Sequence, residues 1–209
     1  DWITWQWNRK NYHEYLAKKA SEIDKKVNIE KLKKGAFSYN FVNKDNNEKF
    51  FNIRTDKLIE ICGDNIPNEM KSDEKKLRKV LISVEEKILR NPKEIKSQID
   101  FYFDEKPYGK ELLTHEKMKV DFEIAKNALI AIKEKFEDED VFKSEENIKN
   151  TLMEIIEELK YKNGQVLWPL RAALTGESFS PGVFEVAWAL GKEQSLRRIN
   201  KAIIKLEKE

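Results

Sequence analysis

The sequence predicts a mainly all-α protein built from two packed helical subdomains. Apolar residues return at three- and four-residue steps through most of the chain after residue 72. Helix start and stop residues fall between those stretches, and strand-like alternation is confined to one short region near residues 36–54.

That region comes first in the chain. Phe37, Tyr39 and Phe41 alternate with polar residues, Lys44-Asp45-Asn46-Asn47 is rich in turn formers, and Phe50, Phe51 and Ile53 follow. A short β-hairpin over 36–54 is the candidate reading. Leu77, Val80, Leu81, Val84 and Ile88 then share one face of a helix, with Ser72 before its start and Asp73 and Glu74 in its first turn. Asn91-Pro92 ends that helix and starts another, Asn91 as cap and Pro92 at the first helical position. Phe122, Ala125, Leu129, Ile132 and Phe136 repeat the stripe, as do Ile148, Leu152, Ile155, Ile156 and Leu159 after a cap at Ser144. The acidic run Glu137 to Asp140 between them reads as a solvated turn. Lys162-Asn163-Gly164 breaks the chain, and a helix runs on to Leu174-Thr175-Gly176, where glycine suits the left-handed cap position. Ser180-Pro181 offers a cap and a first-turn proline. Val183, Phe184, Ala187 and Leu190 then share a face up to Gly191, and Leu196, Ile199, Ile203 and Leu206 form the last stripe. Short helices with tight joints fit a helical cage better than a long coiled coil. Breaks are read at Arg54-Thr55 and around Phe103 to Tyr108, giving segments 1–54, 55–103 and 104–209.

Composition narrows the function. Of 209 residues, 40% are hydrophobic and 11% aromatic, enough for a core and against global disorder. Lys+Arg 40 against Asp+Glu 38 leaves +2, so the distribution of charge decides polyanion binding, not its sum. Cys62 is the single cysteine, which excludes an intrachain disulfide and fits a reducing compartment. No stretch approaches the roughly 18 consecutive apolar residues of a membrane span. Asp1 to Arg9 carry Trp2, Trp5 and Trp7 without a basic start and apolar run, so a cytoplasmic protein without a signal peptide is expected. The start at Asp1, with no Met, reads as a piece of something longer.

Residues that carry chemistry are sparse. His13 and His115 stand far apart and in no metal-ligand spacing, so packed or surface histidines are the expectation and no metal site is assigned. There is no glycine-rich phosphate loop and no nucleophile elbow. Ser178 and Ser180 read as turn and capping residues. The carboxylates lie on what read as exposed helical faces, and no pair stands out as an acid/base couple. No catalytic residue is assigned.

The informative text lies between Lys162 and Leu206. Gly164-Gln165-Val166-Leu167-Trp168-Pro169-Leu170-Arg171-Ala172-Ala173-Leu174-Thr175-Gly176 resembles the PLRxALTG signature of bacterial glutamyl-tRNA synthetases. Ser180-Pro181-Gly182-Val183-Phe184-Glu185, Leu190-Gly191-Lys192-Glu193 and Leu196-Arg197-Arg198-Ile199 continue it in order and spacing. Upstream, Val80 to Ile95 followed by Ile99-Asp100-Phe101-Tyr102-Phe103 is similar to the family's stretch ending in aromatics. Asn28-Ile29-Glu30-Lys31, Gly35-Ala36-Phe37 and Phe51-Asn52-Ile53-Arg54 resemble the segment after its catalytic fold more thinly. The HIGH and KMSKS signatures that serve ATP activation in this family do not occur; Lys117-Met118-Lys119 lies on a predicted helix and is no substitute.

The resemblance implies two helical subdomains that receive a tRNA anticodon loop, with 1–54 a stem-contact remnant after the catalytic domain. Its anticodon contacts would fall on Trp168, Arg171, Ser180, Pro181, Val183 and Phe184. Those residue types suit single-stranded bases, which are held by stacking on aromatic or guanidinium planes and by hydrogen bonds to exposed edges. Trp168 and Phe184 offer ring faces, Arg171 a planar donor fork, and the helix start at Ser180-Pro181 free N–H groups. The competing reading makes Trp168 and Phe184 core and pairs Arg171 with Glu185. In the family an upstream arginine reads the third anticodon base; here the stretch Glu86 to Ile95 is one residue longer, so that role falls on Lys87 when the gap is placed after it, with Arg90 the nearby alternative. The implied partners are tRNA-Glu, with tRNA-Gln left open, and neither DNA nor a membrane. A monomer is expected. No cofactor is expected in this chain, ATP and Mg belonging to the parent's catalytic domain. A freestanding helical RNA-binding or regulatory module, and a helical protein–protein scaffold, are the alternatives.

Overall fold

The computed structural model describes residues 2–34 and 41–208, which are mostly helical. Two compact units divide the chain, Asp1–Ile99 and Asp100–Glu209. The first takes in both the 1–54 segment and the helices that follow it. It holds α1 (Trp2–Ile23), α2 (Ile29–Lys33), α3 (Lys44–Cys62), α4 (Glu74–Ser83), α5 (Glu85–Arg90) and the start of α6 (Ile95–Phe103). The second holds α7 (Phe122–Phe136), α8 (Glu145–Leu159), α9 (Asn163–Thr175) and α10 (Val183–Glu207).

In the first unit, Tyr12, Leu16, Ala17 and Ala20 recur at helical spacing and bury one side of α1 against α2, α3 and α5. Leu58 and Cys62 of α3, Leu77, Val80 and Leu81 of α4, and Ile88 and Leu89 of α5 complete that core. Each such side chain contributes about 1.5–3 kcal/mol when fully buried. One charged contact lies among them. The Arg54 guanidinium donates to both carboxylate oxygens of Glu85, at 2.8 and 2.5 Å, and the Tyr12 hydroxyl donates to the same carboxylate. Burial, then the adjacent Glu85 charge, pushes the Tyr12 phenol above its ordinary range. Burial works against the Arg54 cation, but the Glu85 hydrogen bond and charge outweigh it and hold Arg54 above its ordinary value.

The second unit is assembled around α10, which packs on α7, α8 and α9. Ala125, Ala128, Leu129, Ile132 and Phe136 of α7, Ile148, Leu152 and Ile155 of α8, and Val166 and Leu170 of α9 are fully buried. Asp121 caps α7 by accepting from Ile124 N at 2.8 Å, and Ser144 caps α8 by accepting from Asn147 N at 3.0 Å. Gly191 (φ 77) breaks α10 into two segments at the stop read from sequence. Among the described residues no helix is long and apolar enough to cross a membrane.

Several local expectations are corrected. The hairpin over 36–54 is not formed in its described part: Lys44-Asp45-Asn46-Asn47 is the first turn of α3, and Phe50, Phe51 and Ile53 lie within that helix. The Asn43 side chain caps it by accepting from Asp45 N, so the turn formers start a helix instead of joining strands. Phe37 and Tyr39 lie outside the described residues. Helix α3 runs unbroken through Arg54-Thr55, with the Thr55 hydroxyl bonded back to Phe51 O at 3.0 Å. The single helix read over Leu77 to Ile88 is two helices that part at Val84 (φ −119, ψ 13), a break that accompanies the inward turn of Glu85 to Arg54. Asp73, not Ser72, caps α4, because the Ser72 hydroxyl is spent on Glu69 O. Phe122, the first residue of the α7 stripe, is exposed. Lys117-Met118-Lys119 is no helix: it forms a tight turn closed by a His115–Val120 bridge, with Lys119 in the left-handed region.

Candidate nucleic-acid interface

Helix α9 is buried on nearly every side. Trp168 and Arg171, three residues apart, share the strip that remains partly open. The Trp168 indole N–H donates to Leu112 O at 3.0 Å, and its ring meets His115 edge-on at 4.3 Å. That fixes the ring and leaves part of it accessible. Arg171 differs: among the described residues its guanidinium makes no hydrogen bond and no ion pair. The alternative pairing with Glu185 is not made.

The end of α9 shows why the turn that carries Arg171 is rigid. Arg171 O accepts from the Thr175 hydroxyl at 2.8 Å, Ala172 O from Gly176 N at 2.9 Å, and Leu174 O from Arg198 Nη1. Two of the carbonyls that a helix end leaves unpaired, Ala172 O and Leu174 O, are thereby engaged. Gly176 stands at φ 67, ψ 18, and a Cβ there would lie 2.9 Å from Lys106 O. Both the left-handed conformation and the close approach call for glycine. The Leu174-Thr175-Gly176 text is therefore a helix-end device, and the residue that faces out beside it is Arg171.

The loop into α10 departs from expectation. Gly182 is the N-cap, while the Ser180 hydroxyl donates to Pro181 O at 3.0 Å. Pro181 and Val183 are buried, and Phe184 and Ser180 are half-buried. The Glu185 carboxylate folds back over Gly182, where a Cβ would meet it at 2.0 Å. A negative charge thus already occupies the helix start, which disfavours a phosphate there and leaves base edges and ring faces as the fitting ligands. Phe179 stands 88% exposed beside Ser180. Sequence reasoning missed it, although an aromatic residue in a Ser-rich loop between two helices is itself a stacking signal.

Lys87 and Arg90 lie on α5 in the other unit, both exposed. The Arg90 guanidinium carbon sits 5.2 Å from the Trp5 ring centroid, and Arg9 lies 5.7 Å from the same ring. Arg9 also pairs with Glu86 at 3.3 Å.

Other groups are committed to structure. A cleft of about 240 Å³ behind the end of α9 is lined by Lys106, Tyr108, Arg198, Lys201 and Lys205. Lys106 pairs with Asp100 at 3.1 Å, Lys201 with Glu105 at 2.6 Å, and Lys205 donates to Tyr108 O at 2.8 Å, so its cations are engaged. His13 is buried with its Nδ1 at 3.3 Å from Lys33 O, and His115 packs on Trp168; both are packed histidines. Burial pushes the Cys62 thiol up to about 12, which leaves it unreactive. Among the described residues no His, Cys, Asp and Glu cluster could hold a metal.

Residues 51–203 match the family described as the anticodon binding domain, and the chain belongs to that family. More particularly, it is 44% identical over 119 residues to the glutamate–tRNA ligase of Clostridium acetobutylicum, covering 55% of this chain and 24% of that enzyme. It is 45% identical over 118 residues to the Clostridium tetani glutamate–tRNA ligase, covering 56% of this chain and 24% of that enzyme. Among solved structures, the glutamate tRNA ligase of Elizabethkingia meningosepticum in complex with its amino acid is similar at a TM-score of 0.47 and 23% identity, over 78% of this chain and 32% of that one. The chain spans about a quarter of the length of the curated relatives it matches.

Proposed function

We propose that this chain binds the anticodon end of a transfer RNA as the C-terminal part of a glutamate–tRNA ligase. The full-length enzyme attaches glutamate to tRNA-Glu with ATP, and this chain alone charges nothing. The observation that supports this most directly is the family match over 51–203, within which Arg171 keeps an unspent donor fork beside the anchored Trp168 ring. Arg171 hydrogen-bonds a base edge; the open face of Trp168 and the rings of Phe184 and Phe179 take stacked bases. Pro181, Val183 and Ser180 shape the loop that presents Phe179 and Phe184. The protein acts in the cytoplasm as a monomer, and ATP and Mg are the business of the catalytic region of the parent. The test is binding of the purified chain to tRNA-Glu, tRNA-Gln and a tRNA with an altered anticodon, beside an ATP–pyrophosphate exchange assay. Anticodon-dependent binding without exchange supports the reading; indifference to the anticodon, or exchange above a blank, overturns it.

A further inference from the structure

Helix α10 brings Arg198, Lys201 and Lys205 to the cleft behind the end of α9, where Glu105, Lys106 and Tyr108 also line the wall. Each of these cations has a hydrogen-bond partner, but a hydrogen bond to a carbonyl leaves a charge uncompensated. Lys106 is neutralised between Asp100, at 3.1 Å, and Glu177. Glu105 serves both Lys201, at 2.6 Å, and Arg197, at 2.5 Å. Arg198 and Lys205 meet no carboxylate among the described residues. Arg198 donates to Leu174 O and Tyr102 O. Lys205 donates to Tyr108 O at 2.8 Å and lies 4.5 Å from the Tyr108 ring centroid. Five cations and three carboxylates thus come together, with two positive charges left over.

The excess charge is poorly hydrated. Arg198 is 3% exposed, and its Nε is buried with no hydrogen-bond partner among the described residues. Burial holds its pKa below the ordinary value, and a buried charge of this kind is costly until an opposite one joins it. A further donor stands beside it. Burial, then the Glu105 charge, pushes the Tyr108 phenol up to about 12, so at neutral pH it keeps its proton. That hydroxyl donates to no described residue. The cleft holds about 240 Å³, several times the roughly 30 Å³ of a water, and Pro107, Ala173 and Leu174 add apolar surface to its wall.

We infer that this cleft is a binding site for a small molecule ending in a phosphate group, held by Lys205 and the Tyr108 hydroxyl and balanced by Arg198. A terminal phosphate carries about −1.5 to −2 at neutral pH, which matches the two uncompensated charges. A phosphodiester of a nucleic-acid backbone carries a single charge and is flanked by chain on both sides, so it fits a narrow cleft with a buried cation less well. Neither Trp168 nor Arg171 lines the cleft, and the site does not depend on the anticodon reading.

The experiment is calorimetric titration of the purified chain, at about pH 7.5 and constant ionic strength, with methyl phosphate and separately with dimethyl phosphate. Methyl phosphate should bind saturably, one per chain, and dimethyl phosphate at least roughly tenfold more weakly. Lys205→Gln should weaken methyl phosphate by roughly tenfold or more, and Tyr108→Phe by roughly three- to tenfold, as befits donors to a charged group. Lys149→Gln, which removes an exposed lysine outside the cleft, should bind as wild type does. Absence of saturable binding overturns the site, and so does an unchanged affinity in either cleft variant. A loss in Lys149→Gln equal to that in Lys205→Gln would reduce the effect to overall charge and overturn it too. Equal affinity for the two phosphates overturns the terminal-phosphate assignment. Should Lys205→Gln melt below the assay temperature, Tyr108→Phe, which keeps the ring against Lys205, decides alone: it must bind methyl phosphate more weakly than wild type.

Discussion

Arg54 and Glu85, 31 positions apart, meet as a two-pronged ion pair inside the first helical unit, with Nε–Oε1 at 2.8 Å and Nη2–Oε2 at 2.5 Å. The Tyr12 hydroxyl donates to the same carboxylate, so α1, α3 and α5 converge on one buried charge. Removing one partner strands the other. Glu85→Ala should lower the unfolding free energy by about 3–5 kcal/mol, whereas replacing both Arg54 and Glu85 by apolar residues of similar size should cost much less. Urea unfolding of the single and double variants checks this; a Glu85→Ala loss below about 1 kcal/mol would mark the pair as energetically idle.

Arg171→Ala should leave the melting temperature unchanged, because no described partner is orphaned by the loss. tRNA affinity should fall by roughly ten- to a hundredfold, the usual worth of a base-reading arginine. Calorimetry and filter binding on one preparation separate the two. An early-melting variant that binds normally when folded would make Arg171 structural.

Gly176→Ala should destabilise the second unit by about 1–3 kcal/mol, since alanine resists the left-handed backbone and its Cβ would press on Lys106 O. Thermal melts report it. A neutral substitution would mean that the end of α9 relaxes freely.

Acid should weaken the first unit through His13. Burial, then the nearby Arg9 charge, lowers its pKa from the ordinary value. A depressed folded-state pKa means the stabilisation is fully present above the unfolded value of about 6.5 and is lost as pH falls through it toward the folded value. Denaturant midpoints between pH 7.5 and 5 should therefore fall more steeply for wild type than for His13→Gln. Parallel profiles would remove His13 as the cause.

The stripes of α7 and α8 and the glycine end of α9 were legible because each depends on residues within a turn or two of one another. Ser144, Asn91 and Gly176 act where their local chemistry places them. What escaped depends on distant partners. Asn43 starts a helix where Phe50, Phe51 and Ile53 suggested a strand, because the buried side of α3 and its Arg54 contact override a short alternation. The Val84 break and the Arg54–Glu85 pair were hidden for the same reason. In the candidate site, Arg171 and Trp168 were readable from the motif, but the Trp168 bond to Leu112 O, the fold-back of Glu185 and the exposure of Phe179 were not. No local pattern signals the hold of α1 on Arg90.

The most direct measurement is the affinity of the purified chain, at several salt concentrations, for an intact anticodon stem-loop of tRNA-Glu and for the same stem with a scrambled loop. Preference for the native loop that persists as salt rises, while overall affinity falls through counterion release, is the predicted result. Equal affinity for the two loops, with the same salt slope, would reduce the interaction to phosphate contact and contradict anticodon recognition.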